Sequence, residues 1–237
     1  MLDFIGTVLI TTVMVVAINA VVSSLPVSRG RRIAAASAVG VWIGLAAASA
    51  TAGLFATSFP YIGFFVVVPL LAVAALAANS PVWRAALLGL PAPLLIGLNM
   101  SRVIGGLFLL LAASGRLSGP FPISAGWGDV ITGVLAVPAV WLVLRPSPNY
   151  PLLAAWNMFG ALDLVVAVAL GVTSAQGSPV QLFEAGIGSA AVQALPWAFI
   201  PAVLVPFYLI VHGILFVQLR QAARTAGEPH RLAMGTA

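Results

Sequence analysis

The chain has 237 residues, of which 62% are hydrophobic and only 6% charged. A water-soluble domain carries about 25% charged residues, so this composition excludes a mostly water-exposed surface and makes lipid the solvent for the exterior. The net charge of +5 comes from ten arginines against five acidic residues, and all but one of these arginines stand outside the apolar spans, where they orient a membrane protein and do not make a nucleic-acid surface. Cys and Lys are absent, which excludes disulfides, thiolate metal sites and a lysine Schiff base. Only two histidines occur, and only His212 lies in an apolar stretch, so a three-histidine zinc site is out. Neither a metal nor a cofactor is expected.

A transmembrane helix needs about 20 mostly apolar residues. Residues 4–25 meet this, and the basic cluster Arg29, Arg31, Arg32 follows them with no Arg or Lys before, which suits a retained span and not a cleaved signal. The second span covers 33–55, with Gly40 and Gly44 at a spacing that allows close helix approach. A short join, 56–60, leads to a third span at 61–78, then Asn79-Ser80-Pro81 signals a turn. Residues 82–90 read as a short interfacial stretch holding Trp83 and Arg84, and the fourth span covers 91–114. A Gly/Pro-rich loop, 115–125, precedes a fifth span at 126–144, with a possible kink at Pro138. After a turn at 145–149 the sixth span covers 150–173. In the connection 174–196, Val180, Phe183, Ile187 and Ala191 recur at helical spacing, the pattern of an amphipathic surface helix. The seventh span covers 197–219, and a polar tail, 222–237, ends a single helical domain spanning 1–221.

The expected fold is therefore all-α, a polytopic bundle of seven transmembrane helices. Charge orients it. With the N-terminus outside and the C-terminus cytoplasmic, Arg29, Arg31, Arg32, Arg84, Arg145, Arg220, Arg224 and Arg231 fall inside and only Arg116 outside, as the positive-inside tendency requires. The expected location is the inner (plasma) membrane.

Arg102, Asp163 and His212 interrupt apolar spans, and Asp129 sits just within the fifth. A charge at the bilayer centre costs about 3 kcal/mol on insertion scales, so such residues face the bundle interior and pair. At the helical rise, Arg102 lies roughly 17 Å and Asp163 roughly 20 Å from the inner ends of their spans. Equal depth and opposite charge predict an Arg102–Asp163 ion pair. His212 and Asn157, at roughly 14 and 10 Å, belong just below it, and Asp129, only roughly 5 Å below the outer surface, lines an outer mouth or draws the long arm of Arg102. Asn99, Arg102, Gly105 and Gly106 share a side of the fourth helix; Trp156, Gly160 and Asp163 share a side of the sixth, with Asn157 alongside; Gly126, Asp129 and Gly133 share a side of the fifth. The candidate polar site is thus Asn99, Arg102, Asp129, Asn157, Asp163 and His212, with Trp127 and Trp156 as aromatic lining. The same ion pair also reads as a plain interhelical lock, and Pro196, Pro201 and Pro206 as either a hinge or a static irregularity.

From Arg102 onward the chain resembles an uncharacterised family of small bacterial multi-pass membrane proteins. The resemblance is carried by Arg102 with Gly105 and Phe108, by Ala125-Gly126-Trp127-Gly128-Asp129, by Ala155-Trp156-Asn157 with Gly160 and Asp163-Leu164, and by Leu195-Pro196, Ile200-Pro201, Val205-Pro206 and His212. It implies a shared membrane fold and no reaction. Three functions stay open. One is binding or translocation of a small solute or ion, with Arg102 holding an anionic group, Asp163 as counter-ion or proton carrier and His212 adjusting the local charge. Another is a membrane-embedded enzyme acting on a lipid or isoprenoid, although no Ser-nucleophile motif and no paired acidic metal motif is present. The third is a structural or accessory subunit. Expected partners are the lipid bilayer and a small-molecule or ion ligand, with a homo-oligomer allowed and no nucleic acid.

Overall fold

A computed structural model describes residues 1–57 and 61–234, with side chains described over 1–56 and 61–226. Part of the expected join at 56–60, and the side chain of Arg231 in the charge count, lie outside the described residues. The described chain is all-α, and seven of its helices are long and apolar enough to cross a membrane: Leu2–Ser24, Arg29–Thr51, Tyr61–Asn79, Ala92–Ala113, Phe121–Val143, Tyr150–Thr173 and Ile200–Ala226. Large apolar side chains remain exposed along these spans, Phe4, Leu45, Leu71, Leu110, Val134 and Leu162 among them. An outer surface of this kind is stable in lipid and not in water.

The seventh helix is the hub. Within its most apolar stretch 61% of residues are buried, against 11% for the third and at most 44% for any other span. It begins as a π-helical turn, Ile200–Leu204, before the α-helix Val205–Met234. Pro206 has no N–H to give the carbonyl of Ala202 one turn back, and the Trp42 indole of the second helix donates to that carbonyl at 3.1 Å. At the other end of the bundle Gln218 donates to the carbonyls of Leu88 and Leu90, which close the short helix Pro81–Leu88 ahead of Pro91.

The first helix is tied in at its start. Asp3 Oδ1 accepts from Trp197 Nε1 and from Arg116 Nη1, both at 2.7 Å. The Trp197 ring lies 2.7 Å from where a Cβ on Gly6 would stand. Only glycine at position 6 lets the first helix close on this buried indole.

Four expectations change. The fifth helix starts at Phe121, five residues earlier than expected, because Pro122 stands in its first turn, where proline's missing N–H costs nothing. No helix spans the residues 174–189. Gly177, Gly186 and Gly188 take positive φ, which breaks helical progression, and Val180, Phe183 and Ile187 are exposed. The only regular turn of that connection is a 3₁₀ turn, Ala190–Gln193. The last helix continues to Met234, past the expected end of the seventh span at 219 and into the expected tail at 222–237. The second helix starts at Arg29 and ends at Thr51, so the basic cluster forms its first turn.

Candidate functional site

The fourth span is not a uniform α-helix. Between α-helical segments Ala92–Leu98 and Gly106–Ala113 it narrows to a 3₁₀ helix over Asn99–Gly105. At three residues per turn, positions i and i+3 eclipse, so Asn99, Arg102 and Gly105 stack in one line. All three are buried. The tightened segment aims Arg102 between the fifth, sixth and seventh helices.

Arg102 is the centre of the site. Nε donates to Asp129 Oδ1 at 2.7 Å and Nη2 to Asp163 Oδ2 at 2.6 Å. Nη1 donates to the Gly160 carbonyl at 2.9 Å and to His212 Nε2 at 3.1 Å. Four of the five guanidinium N–H bonds are thus committed inside the protein. The Tyr208 ring lies below, its centroid 5.9 Å from Cζ, and its hydroxyl is hydrogen-bonded to Ser101 Oγ at 2.5 Å.

The histidine is held by both nitrogens. An arginine can only donate, so His212 Nε2 is an acceptor and the ring is neutral with its proton on Nδ1. Nδ1 donates to Asn157 Oδ1 at 2.8 Å, and Asn157 Nδ2 donates back to the His212 carbonyl at 3.0 Å. Trp156 packs beside the imidazole and donates its indole N–H to the Thr132 carbonyl at 3.2 Å.

Three glycines make the closeness possible, each on the helix next to the side chain it admits. The Asp129 carboxylate occupies the space of a Cβ on Gly105, and that of Asp163 the space of a Cβ on Gly128. The His212 ring edge lies 2.7 Å from a Cβ placed on Gly160. The fourth helix therefore receives the fifth, the fifth the sixth and the sixth the seventh, each at the level of the charged group. Any larger residue at these positions would push a charged or polar group out of its pairing.

The structure brings Arg102, Asp129, Asn157, Asp163 and His212 together, and the Arg102–Asp163 contact expected from matched depth is present. Of the two expectations for Asp129, the pairing with Arg102 is present, and the residue also borders a cavity walled by residues of two connections. With the helix starting at Phe121 it lies roughly 12 Å along the span, deep enough to bind Arg102 directly. Asn99 is buried in the same helix but bonds only to Leu95 of its own helix, at 3.0 Å. Trp156 lines the site. Trp127 does not: it is 54% exposed, because a residue two positions before Asp129 points to the opposite side of an α-helix. An anion-holding Arg102 and a charge-adjusting His212 also need revision, since the guanidinium is engaged by two carboxylates and faces the imidazole. Tyr208, Ser101 and Thr132 complete the surroundings and were not singled out from sequence. A tyrosine in an apolar span, one helical turn from His212, was the available signal.

A cavity of about 190 Å³ opens beside the cluster. Phe108, Phe121, Leu164, Val168, Ile200 and Val205 line it, Asp129 also borders it, and Gln176 and Ser189 stand in its wall. A second space of about 20 Å³ adjoins Arg102, Asp129 and Tyr208 and shares Leu164, Ile200 and Val205 with the first.

Fold and site together define a multi-pass integral membrane protein with a buried polar site built on arginine and histidine. More particularly, the chain belongs to the family described as Domain of unknown function (DUF8737), whose model matches residues 59–220. That match takes in the third span as well as the stretch from Arg102 onward. No curated protein and no solved structure matches the chain.

Proposed function

We propose that this protein binds a small cationic solute or ion at the Arg102 cluster and passes it across the membrane. One observation carries the reading: a single guanidinium is shared by two carboxylates, Asp129 and Asp163, on two further helices. His212 is neutral in this arrangement, so whenever both carboxyls are ionised one positive and two negative groups leave one uncompensated negative charge. Such a charge inside lipid is costly, and a proton or another cation arriving at the site relieves it. Ionisable residues within transmembrane helices mark ion and substrate pathways for this reason. Charge matching alone asks for one carboxylate per guanidinium, and the site holds two. The second carboxylate favours exchange over static bracing. The cluster is also bordered by a cavity through Asp129, which gives a ligand somewhere to arrive from.

The orientation that accompanies this proposal has the N-terminus outside and the C-terminus in the cytoplasm, in the inner (plasma) membrane. Support comes from the separation of charges. Asp3, Arg116 and Trp197 meet at one end of the bundle, while Arg29, Arg31, Arg32, Arg84 and Arg145 lie near helix ends at the other.

The test is charge movement in proteoliposomes on a solid-supported membrane, with jumps of H⁺, Na⁺, K⁺ and n-butylammonium. The parent protein gives a current with at least one of them, and Asp163→Asn or Asp129→Asn protein gives none. Identical currents in parent and variants, or no current with any of the four, would overturn the proposal.

A further inference from the structure

We infer that the cavity beside the cluster is the seat of a small organic monocation, an amine with a short apolar body whose ammonium group rests on Asp129. This deepens the charge-uptake reading above and rests on it. The argument begins at Asp129. Its Oδ1 accepts from Arg102, and no described residue donates to Oδ2. The residue borders both the larger cavity and the smaller space that continues toward Arg102. A ligand that donates a hydrogen bond and brings one positive charge meets both needs at once.

The walls exclude the other classes. Phe108, Phe121, Leu164, Val168, Ile200 and Val205 offer carbon, and the polar wall residues, Gln176 and Ser189 among them, bring no second carboxylate, whereas a bare divalent cation seeks six or more oxygens. An anion or a zwitterion would need a free cation, and Arg102 has given four of its donors to the protein. A neutral apolar molecule fits the walls but leaves the negative charge unmatched. Size sets a further limit. Drug-sized ligands occupy pockets of about 300–1,000 Å³, and at about 190 Å³ this cavity takes something smaller. An amine of a few carbons satisfies charge, polarity and volume together.

Isothermal titration calorimetry on the full chain in lipid nanodiscs tests this, with n-butylammonium, n-butanol and Na⁺ as probes. n-Butylammonium binds at least about tenfold more tightly than n-butanol, the ratio that a difference of one charged hydrogen bond supports. Asp129→Asn abolishes that preference. Gly171→Leu, at a lining position where a Cβ meets only the Phe121 ring at 3.4 Å, fills the space and weakens n-butylammonium by a similar factor. Thermal unfolding of both variants checks that they fold, and the probe series on the parent protein decides the matter if they do not. Equal binding of amine and alcohol overturns the inference, as does tighter binding of Na⁺ or an amine affinity that neither variant changes. Those results leave the charge-uptake reading standing, because that reading falls on the proteoliposome currents: on their absence with every cation, or on their being identical in parent and variants.

Discussion

At the scale of single residues, Arg102 carries more of the structure than any other side chain in the described chain. It joins four of the seven spans by side-chain bonds: its own, the fifth through Asp129, the sixth through Asp163 and Gly160, and the seventh through His212. Truncating one partner of a buried ion pair costs about 3–5 kcal/mol, because the other charge is left alone in a poor solvent. Arg102→Ala strands two carboxylates, so it should destabilise the fold by at least that amount, measured by denaturant or thermal unfolding in detergent. The triple substitution Arg102→Leu, Asp129→Asn, Asp163→Asn removes all three charges and should recover most of the loss. If the triple variant is no more stable than Arg102→Ala, unpaired buried carboxylates are not the source of the cost.

Much of this site was legible from residue depth. Counting 1.5 Å per residue placed Arg102 and Asp163 level, and charges in lipid must pair, so their contact followed. Depth counted from Gly126 sets Asp129 too close to the surface, because Pro120 and Pro122 read as loop residues while the helix starts at Phe121. Proline is a poor helix interior residue but a good first-turn residue, and composition alone does not distinguish the two. Neighbourhood in sequence alone puts Trp127 in the lining, although two residues along a helix is slightly more than half a turn. The glycine slots were visible only as glycines near charges. Which side chain fills each slot depends on the neighbouring helix, and no single segment contains that information.

At the scale of elements, two spans depart from α-helical geometry, and both departures border the small space beside Arg102. The 3₁₀ run Asn99–Gly105 aligns Arg102 with Gly105, and so lets Asp129 approach over the glycine. A sequence of apolar residues with a 3.6-residue period gives no warning of the tighter pitch, since the same residues satisfy both. The π-turn Ile200–Leu204 was foreshadowed by Pro201 and Pro206, but whether prolines kink, hinge or merely widen a helix depends on what satisfies the freed carbonyl. Here it is Trp42. Removing that donor leaves a buried carbonyl unpaired at about 1–3 kcal/mol, so Trp42→Phe should destabilise by that much. In a Pro206→Ala background the backbone N–H returns, and the same substitution should cost measurably less. A double-mutant cycle reads the difference, and a cost of equal size in both backgrounds would show that Trp42 acts through packing alone.

At the scale of the whole molecule, seven spans place the two chain ends on opposite sides of the membrane. The Asp3–Arg116–Trp197 junction puts the N-terminus beside two connections that lie at the same end, and the even numbers of spans before them, four before Arg116 and six before Trp197, agree with that. Because the chain contains no cysteine, single cysteines report sidedness without background. Ser118→Cys should react with an impermeant maleimide on intact cells, and Gln221→Cys only after the cells are opened. The reverse pattern would invert the proposed orientation while leaving the fold unchanged.

The central claim is that two carboxylates share one guanidinium inside the bundle and that one of them exchanges its charge. Infrared difference spectroscopy between high and low pH, recorded on reconstituted protein in H₂O and D₂O, reads this directly as a carboxylic C=O stretching band. Because Asp129 and Asp163 hold the same guanidinium, neutralising either one alters that band: Asp129→Asn and Asp163→Asn protein should each lack it or show it shifted. A difference spectrum with no such band, or with one unchanged in both variants, would contradict the account.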